Sequence, residues 1–126
     1  MSYNSNVVIS CGVNVFNKIK TVWEDQKPDR VAYNNELKLY YMEWDCTKWY
    51  DHDPSYFPTV SKIMNIVNEY RKLIVAAEDT DNELSFLRIG EDYSDIEDYS
   101  NGCFGSRLSV NIQPTSDYEI GEEIKI

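Results

Sequence analysis

The sequence predicts an α+β fold, an antiparallel sheet with one principal helix, at about 58–71, packed on a face. Two patterns carry that expectation. Past Pro58, Val60, Ile63, Met64, Val67 and Ile74 fall at helical spacing, with Lys62, Asn65, Asn68 and Glu69 opposite. Elsewhere apolar residues alternate with period two in short runs separated by turn residues, the pattern of strands with one buried face. Runs of strands around a single long helix make an α+β chain rather than a βαβ repeat.

In chain order, Val7, Ile9, Cys11, Val13 and Val15 alternate with Ser10, Gly12 and Asn14 and predict a first strand. Residues 16–25 fit two patterns. Ile19 and Trp23 stand at a helical step, yet Ile19, Thr21 and Trp23 also fit a second strand after a turn at Asn17 and Lys18, and the hairpin is preferred. Residues 26–29 contain Pro28 and Asp29 and read as a turn. Over 36–50, Leu37, Leu39 and Tyr41 lie on one face, with Tyr40, Met42, Trp44 and Cys46 on the other. A strand apolar on both faces belongs in the middle of a sheet or under a helix.

The helix begins at Pro58, which suits a first turn. Residues 73–77 and 83–89 are β-prone runs joined through Asp79, Thr80, Asp81 and Asn82, and predict a hairpin. Residues 91–102 read as an acidic loop or a short irregular helix. Leu108, Val110 and Ile112 alternate with Ser109 and Asn111 in a further strand that stops at Pro114. Tyr118, Ile120, Ile124 and Ile126 share a parity, so 115–126 is an edge strand or a frayed tail. A chain of 126 residues suits a single domain, 1–126.

The net charge of −10 comes from 22 acids against 12 bases, and its position is informative. Residues 1–77 hold nine of each, whereas 78–126 hold thirteen acids against Arg88, Arg107 and Lys125. With 42% apolar and 13% aromatic residues the chain can bury a core, so the acidity does not signal disorder. Direct binding of nucleic acid by charge is excluded by the sign. No apolar run is long enough to span a membrane, and the N-terminus lacks the basic region of a signal peptide, so the expectation is a cytoplasmic protein of a bacterium or an infected host cell.

Catalytic patterns are missing. There is no P-loop, GxGxxG, GxSxG or HExxH. Cys11, Cys46 and Cys103 are odd in number, widely spaced and without CxxC, and read as buried free thiols, with Cys103, beside Gly102 and Gly105, the one that would be exposed. His52, between Asp51 and Asp53, reads as a solvated turn histidine. Asp79, Asp81 and Glu83 alternate as in a calcium loop, but Leu84 stands where that loop needs Gly and Gly90 where it needs Glu. The expectation is therefore no catalytic residue, no metal and no cofactor.

What stands out is the acidic stretch 78–98. Glu78, Asp79, Asp81, Glu83, Glu91, Asp92, Asp95, Glu97 and Asp98 are the candidate partner-binding acids, with Tyr93 and Tyr99 as aromatic anchors. If the segment turns helically, Tyr93, Ile96 and Tyr99 form a stripe that docks it while the acids project. Carboxylates so spaced imitate phosphates, which recur about every 3.4 Å per strand, and a Lys- and Arg-lined groove would accept them. Plain solvation of the acids is the competing reading, and it carries equal weight.

By size, charge and this acidic segment the chain resembles, as a class, the small acidic counter-defence inhibitors of bacteriophage, of anti-CRISPR or anti-restriction type. It is equally similar to immunity proteins that neutralise basic toxic nucleases. Its wealth of Asn, Ile, Tyr and Lys, residues with AT-rich codons, suits a phage or a low-GC bacterium. The resemblance implies a stoichiometric, non-enzymatic inhibitor of a basic nuclease or a CRISPR or restriction effector. A neighbouring toxin gene would mark the immunity protein instead. Two other classes are open: a binder of a small ligand such as a signalling nucleotide, for which Arg88 and Arg107 are the available cations unless they are paired internally, and a homo-oligomer assembled through edge strands such as 107–112.

Overall fold

The computed structural model describes residues 3–50, 55–111 and 113–126. An α+β fold results, with two helices and a six-stranded sheet whose neighbours all pair antiparallel. In chain order the main sheet uses β1 (Ser5–Cys11), β2 (Arg30–Asn34), β3 (Leu39–Thr47), β4 (Leu84–Gly90), β5 (Ile96–Ser100) and, further on, β8 (Glu122–Glu123). Across the sheet the order is β5-β4-β1-β3-β2-β8, while β6 (Leu108–Val110) and β7 (Pro114–Ser116) form a separate hairpin.

The helix α2 (Pro58–Arg71) starts with Pro58 in its first turn, as expected. It buries Val60, Ile63, Met64, Val67 and Tyr70 against the sheet. Ile74 fits the same spacing but lies past the helix end and is fully exposed, a correction to its place in the predicted stripe. Beside α2 packs α1 (Val13–Val22), where the sequence favoured a second strand. Ile19 and Trp23 are four apart, a spacing that shares a face in either geometry. Thr21 separates the two: a strand would bury it beside Ile19, whereas here it is exposed and its hydroxyl donates to the Lys18 carbonyl at 2.6 Å, back along a helical turn. The first strand accordingly ends at Cys11, and Val13 and Val15 belong to the helix.

One face of the sheet supplies Val7, Ile9 and Cys11 of β1, Met42 and Trp44 of β3 and Leu84 and Phe86 of β4 to a core shared with both helices. The opposite face buries Val8, Ala32, Tyr41, Leu87 and Ile89 under Leu108 of β6 and Ile120. This two-sided cover explains why β3 is apolar on both faces: it lies between β1 and β2, in the interior that the sequence indicated. The strand β2 was missed because Arg and Asn bound a run of three apolar residues, too short for alternation to show.

Two further expectations fail. Residues 73–77 form no strand, because β4 already has β1 and β5 as neighbours; Val75 alone turns inward and makes an isolated parallel bridge to Gly102. Residues 91–102 form no helix and are loop only in part, because five of the twelve are strand. They turn at 91–95 and return as β5, paired with β4 from Ser85↔Ser100 to Ile89↔Ile96. Glu122 and Glu123 pair with Tyr33 and Ala32, after a turn in which Gly121 has φ 89° and a Cβ would stand 2.1 Å from the Tyr33 carbonyl oxygen. No helix among the described residues is long and apolar enough to cross a membrane.

Candidate functional site

The acids of 78–98 divide according to which way the strands turn them. On β4, Leu84, Phe86 and Arg88 face the helices, and the register Arg88↔Glu97 sets Glu97 of β5 beside the arginine. The Arg88 guanidinium, almost fully buried, donates from Nε to Glu97 Oε1 at 2.8 Å and from both terminal nitrogens to the Asp95 carboxylate at 2.7 and 3.1 Å. Its Nη1 also reaches Ser5 Oγ at 3.0 Å on β1. Tyr3 donates its hydroxyl to Asp95 Oδ2 at 2.8 Å, and Tyr99 donates to Glu97 Oε2 at 2.9 Å.

This network neutralises two of the candidate acids internally. The bonds from Arg88, then from Tyr3, hold the Asp95 carboxyl below its ordinary range. Burial works to lower the Arg88 pKa, but the Asp95 and Glu97 bonds outweigh it and the group is held more firmly charged. Glu83 is likewise turned inward: its buried carboxylate accepts from Arg107 Nε at 2.8 Å and Nη2 at 3.1 Å. Both arginines of the acidic half are therefore spent on pairs within the fold, and neither offers a free cation to an anionic ligand. The calcium-like alternation of Asp79, Asp81 and Glu83 is broken in space, because Glu83 points away from the other two.

The remaining acids are exposed, five of them at the two ends of β4. Glu91 and Asp92 lie on the β4–β5 turn with Tyr93, two-thirds exposed; Asp92 accepts from the Ser94 amide and hydroxyl, which lower its pKa. Glu78, Asp79 and Asp81 lie at the other end, on the turn leading into β4 through a 3₁₀ segment, Thr80–Asn82. Seven residues of strand hold the two groups roughly 20 Å apart. Asp98 stands exposed on the β5 edge, where partial desolvation raises its pKa. Tyr99 packs on Phe86 and under Arg71, whose guanidinium lies 3.9 Å from its ring centre, and is not an outward anchor. The stripe of Tyr93, Ile96 and Tyr99 does not form, because a strand sends Ile96 and Tyr99 to opposite faces.

Sequence reasoning missed the exposed apolar residues beside Glu78, Asp79 and Asp81. The Val75–Gly102 bridge holds the loop 102–105 against the segment that follows α2. A small crevice there is bordered by Ala76, Ala77, Cys103 and Phe104, and by the paired Glu83 and Arg107. Phe104 is 88% exposed and Ile74 wholly so. The available signal was Phe104 within Gly-Cys-Phe-Gly, an aromatic on a turn too tight to bury it.

No family model, curated protein or solved structure matches the chain.

The three cysteines are free thiols, but only Cys11 is buried; Cys46 and Cys103 are exposed, a correction to the buried reading of both, with exposure an alternative the sequence left open for Cys103 alone. Burial pushes the Cys11 thiol up, away from reactivity. Cys46 is displaced outward by a bulge: the β1–β3 register slips between Ser5 and Val7, and Cys46 takes φ 50° with its amide donating to Asn6 Oδ1 at 2.8 Å. His52 lies outside the described residues.

Proposed function

We propose that the protein is a stoichiometric inhibitor of the phage counter-defence kind, which docks on a basic, nucleic-acid-handling protein. The observation that carries the reading is an exposed Phe104 that shares a crevice with Ala76 and Ala77, the residues that lead directly into Glu78, Asp79 and Asp81, which are exposed and without an ion pair among the described residues. An exposed aromatic with unpaired carboxylates on the adjoining turn is the arrangement of a binding hot spot: the apolar centre supplies affinity once desolvated, and the charges supply fast, salt-sensitive encounter. Three carboxylates within one turn present to a Lys- and Arg-lined groove what a short run of phosphates would. Glu91, Asp92 and Tyr93 are a second contact region about one strand length away, and Asp95, Glu97 and Glu83 serve the fold that holds both.

The test is capture of a purified basic nuclease or effector by immobilised protein at low and high salt, with competing DNA or RNA. The expected result is capture that weakens with salt and with added nucleic acid. It is lost in a variant carrying E78Q, D79N, D81N and F104S, whose circular dichroism is unchanged. Asp95 and Glu97 stay in place, because removing them strips a buried arginine of its partners and confuses unfolding with unbinding. Equal capture by the variant and the parent would sink the reading.

A further inference from the structure

On the far side of the sheet from β5, the near-neutral half of the chain builds a cleft of the opposite electrical character. Phe16 and Lys20 of α1 and Trp23, the residue that caps its C-terminus, line one side at steps of four and three residues. Tyr40 of β3 stacks on Phe16 with ring centres 3.9 Å apart and planes 6° from parallel, and Trp23 meets Phe16 edge-on at 6.0 Å. The segment after β8 closes the other wall: the Ile124 amide donates to the Val31 carbonyl at 2.8 Å, which lays Ile124 and Ile126 along the aromatic floor. The space enclosed is about 340 Å³, open on one side.

Three lysines border it, Lys20, Lys27 and Lys125, and no aspartate or glutamate side chain does. In a chain with 22 acids and 12 bases, cations find partners easily. Lys18 has Glu69, Lys62 has Glu24, and Arg30 has Glu123. Lys20, Lys27 and Lys125 form no ion pair among the described residues, and of the acids nearest to them in sequence Glu24 and Glu123 pair with other cations, while Asp25 accepts from Thr59 and Asp29 from the Asp45 amide. Lys20 is exposed, with its ammonium 5.9 Å from the Phe16 ring centre.

We propose that this cleft binds a small organic anion with a flat, apolar ring, of the size of a mononucleotide. Its volume lies at the low end of small-molecule clefts, roughly 300 to 1,000 Å³, which combine apolar walls with a few converging polar groups. The ring occupies the space between Tyr40 and the isoleucines, displacing water from apolar surface. The anionic group lies among the three ammonium groups, which act on phosphate as point charges without the bidentate geometry an arginine would demand. The site is separate from Glu78, Asp79, Asp81 and Phe104, so it stands whether or not that surface docks a protein.

The experiment is a ¹H–¹⁵N NMR titration of the whole chain with AMP, GMP, CMP, UMP and, as a non-nucleotide aromatic anion, anilinonaphthalene sulfonate. Adenosine and inorganic phosphate serve as half-ligands. The expected result is saturable shifts of the Trp23 indole and of the Lys20, Lys27 and Lys125 amides with at least one anion. Binding by the matching half-ligands should be at least tenfold weaker, and a K20Q/K27Q/K125Q variant with an unchanged spectrum elsewhere should lose tenfold or more. Absence of binding by every anion at millimolar concentration overturns the proposal. So does binding that the neutral nucleoside matches, that the triple variant retains, or that shifts residues away from the cleft.

Discussion

Arg88 is 7% exposed and Glu83 5%, and each is buried with its charge because the partner is already in place across an adjoining segment. The sequence leaves the partners of Arg88 and Arg107 open: the β4–β5 register gives Glu97 to Arg88, and the inward turn of Glu83 gives it to Arg107. Asp45 is an acid of a different kind. It stands on the β3 bulge, its amide donating to Asp29 Oδ2 at 2.6 Å, with Glu43 beside it. Loss of solvent, then the neighbouring Glu43 charge, pushes its carboxyl up to about 6. The native state therefore holds this proton more tightly than the unfolded chain, whose Asp titrates near 3.8. The resulting stability is complete below that value and is lost as pH rises through about 6. D45N should leave the urea midpoint unchanged at pH 3.5 and raise it at pH 7.5. Asp95, held low by Arg88, pulls stability the opposite way with pH, so the quantity to read is the difference between variant and parent. A difference that is the same at both pH values contradicts the assignment.

Among the elements, α2 was legible because fourteen residues of helical period leave little room for another pattern. α1 was not, because its ten residues carry apolar positions that strand and helix periods share. Tertiary contact settles it: β1 ends where Gly12 meets the 3₁₀ turn, and the chain must then cross the sheet to reach β2. Gly12 is the helix cap, with φ −75°, so no left-handed backbone demands glycine. Space does, since a Cβ would stand 1.8 Å from the Thr80 carbonyl oxygen and 2.5 Å from Asp81 backbone atoms. G12A should cost about 1–3 kcal/mol by forcing the turn off the helix. Thermal unfolding measures that cost, and faster amide exchange at 80–83 would locate it; an unchanged melting temperature contradicts the contact. β5 was missed for an electrostatic reason, as a run with acids at 95, 97 and 98 looks solvated until Arg88 is seen beneath it. Asp98 on that open edge also discourages pairing between copies, since antiparallel pairing centred there sets like charges together.

Across the whole molecule the −10 charge is a wrap rather than an appendage. The acidic half supplies β4 and β5 at one side of the sheet, β8 at the other and the β6–β7 cover on one face, all around a near-neutral first half. Arg30 meets Glu123 at 2.8 Å, and Ser10 shares a 2.5 Å hydrogen bond with Tyr118, so the late segments are tied into the early ones. Like charges still crowd the surface, and buried pairs are screened less than exposed repulsion. Raising sodium chloride from 20 to 500 mM should therefore raise the melting temperature by roughly 2–5 °C; a fall would mean that exposed ion pairs outweigh the repulsion. The sequence by itself determined the fold class, the principal helix, the interior place of β3 and the half of the chain that holds the charge, because periodicity and composition are local. Only the tertiary structure decided that 13–22 is a helix, which acids face solvent, and that three lysines border one cleft lined with aromatic rings. Each of those depends on what lies across the sheet, and a side chain's charge has its effect only through the neighbours that the fold provides.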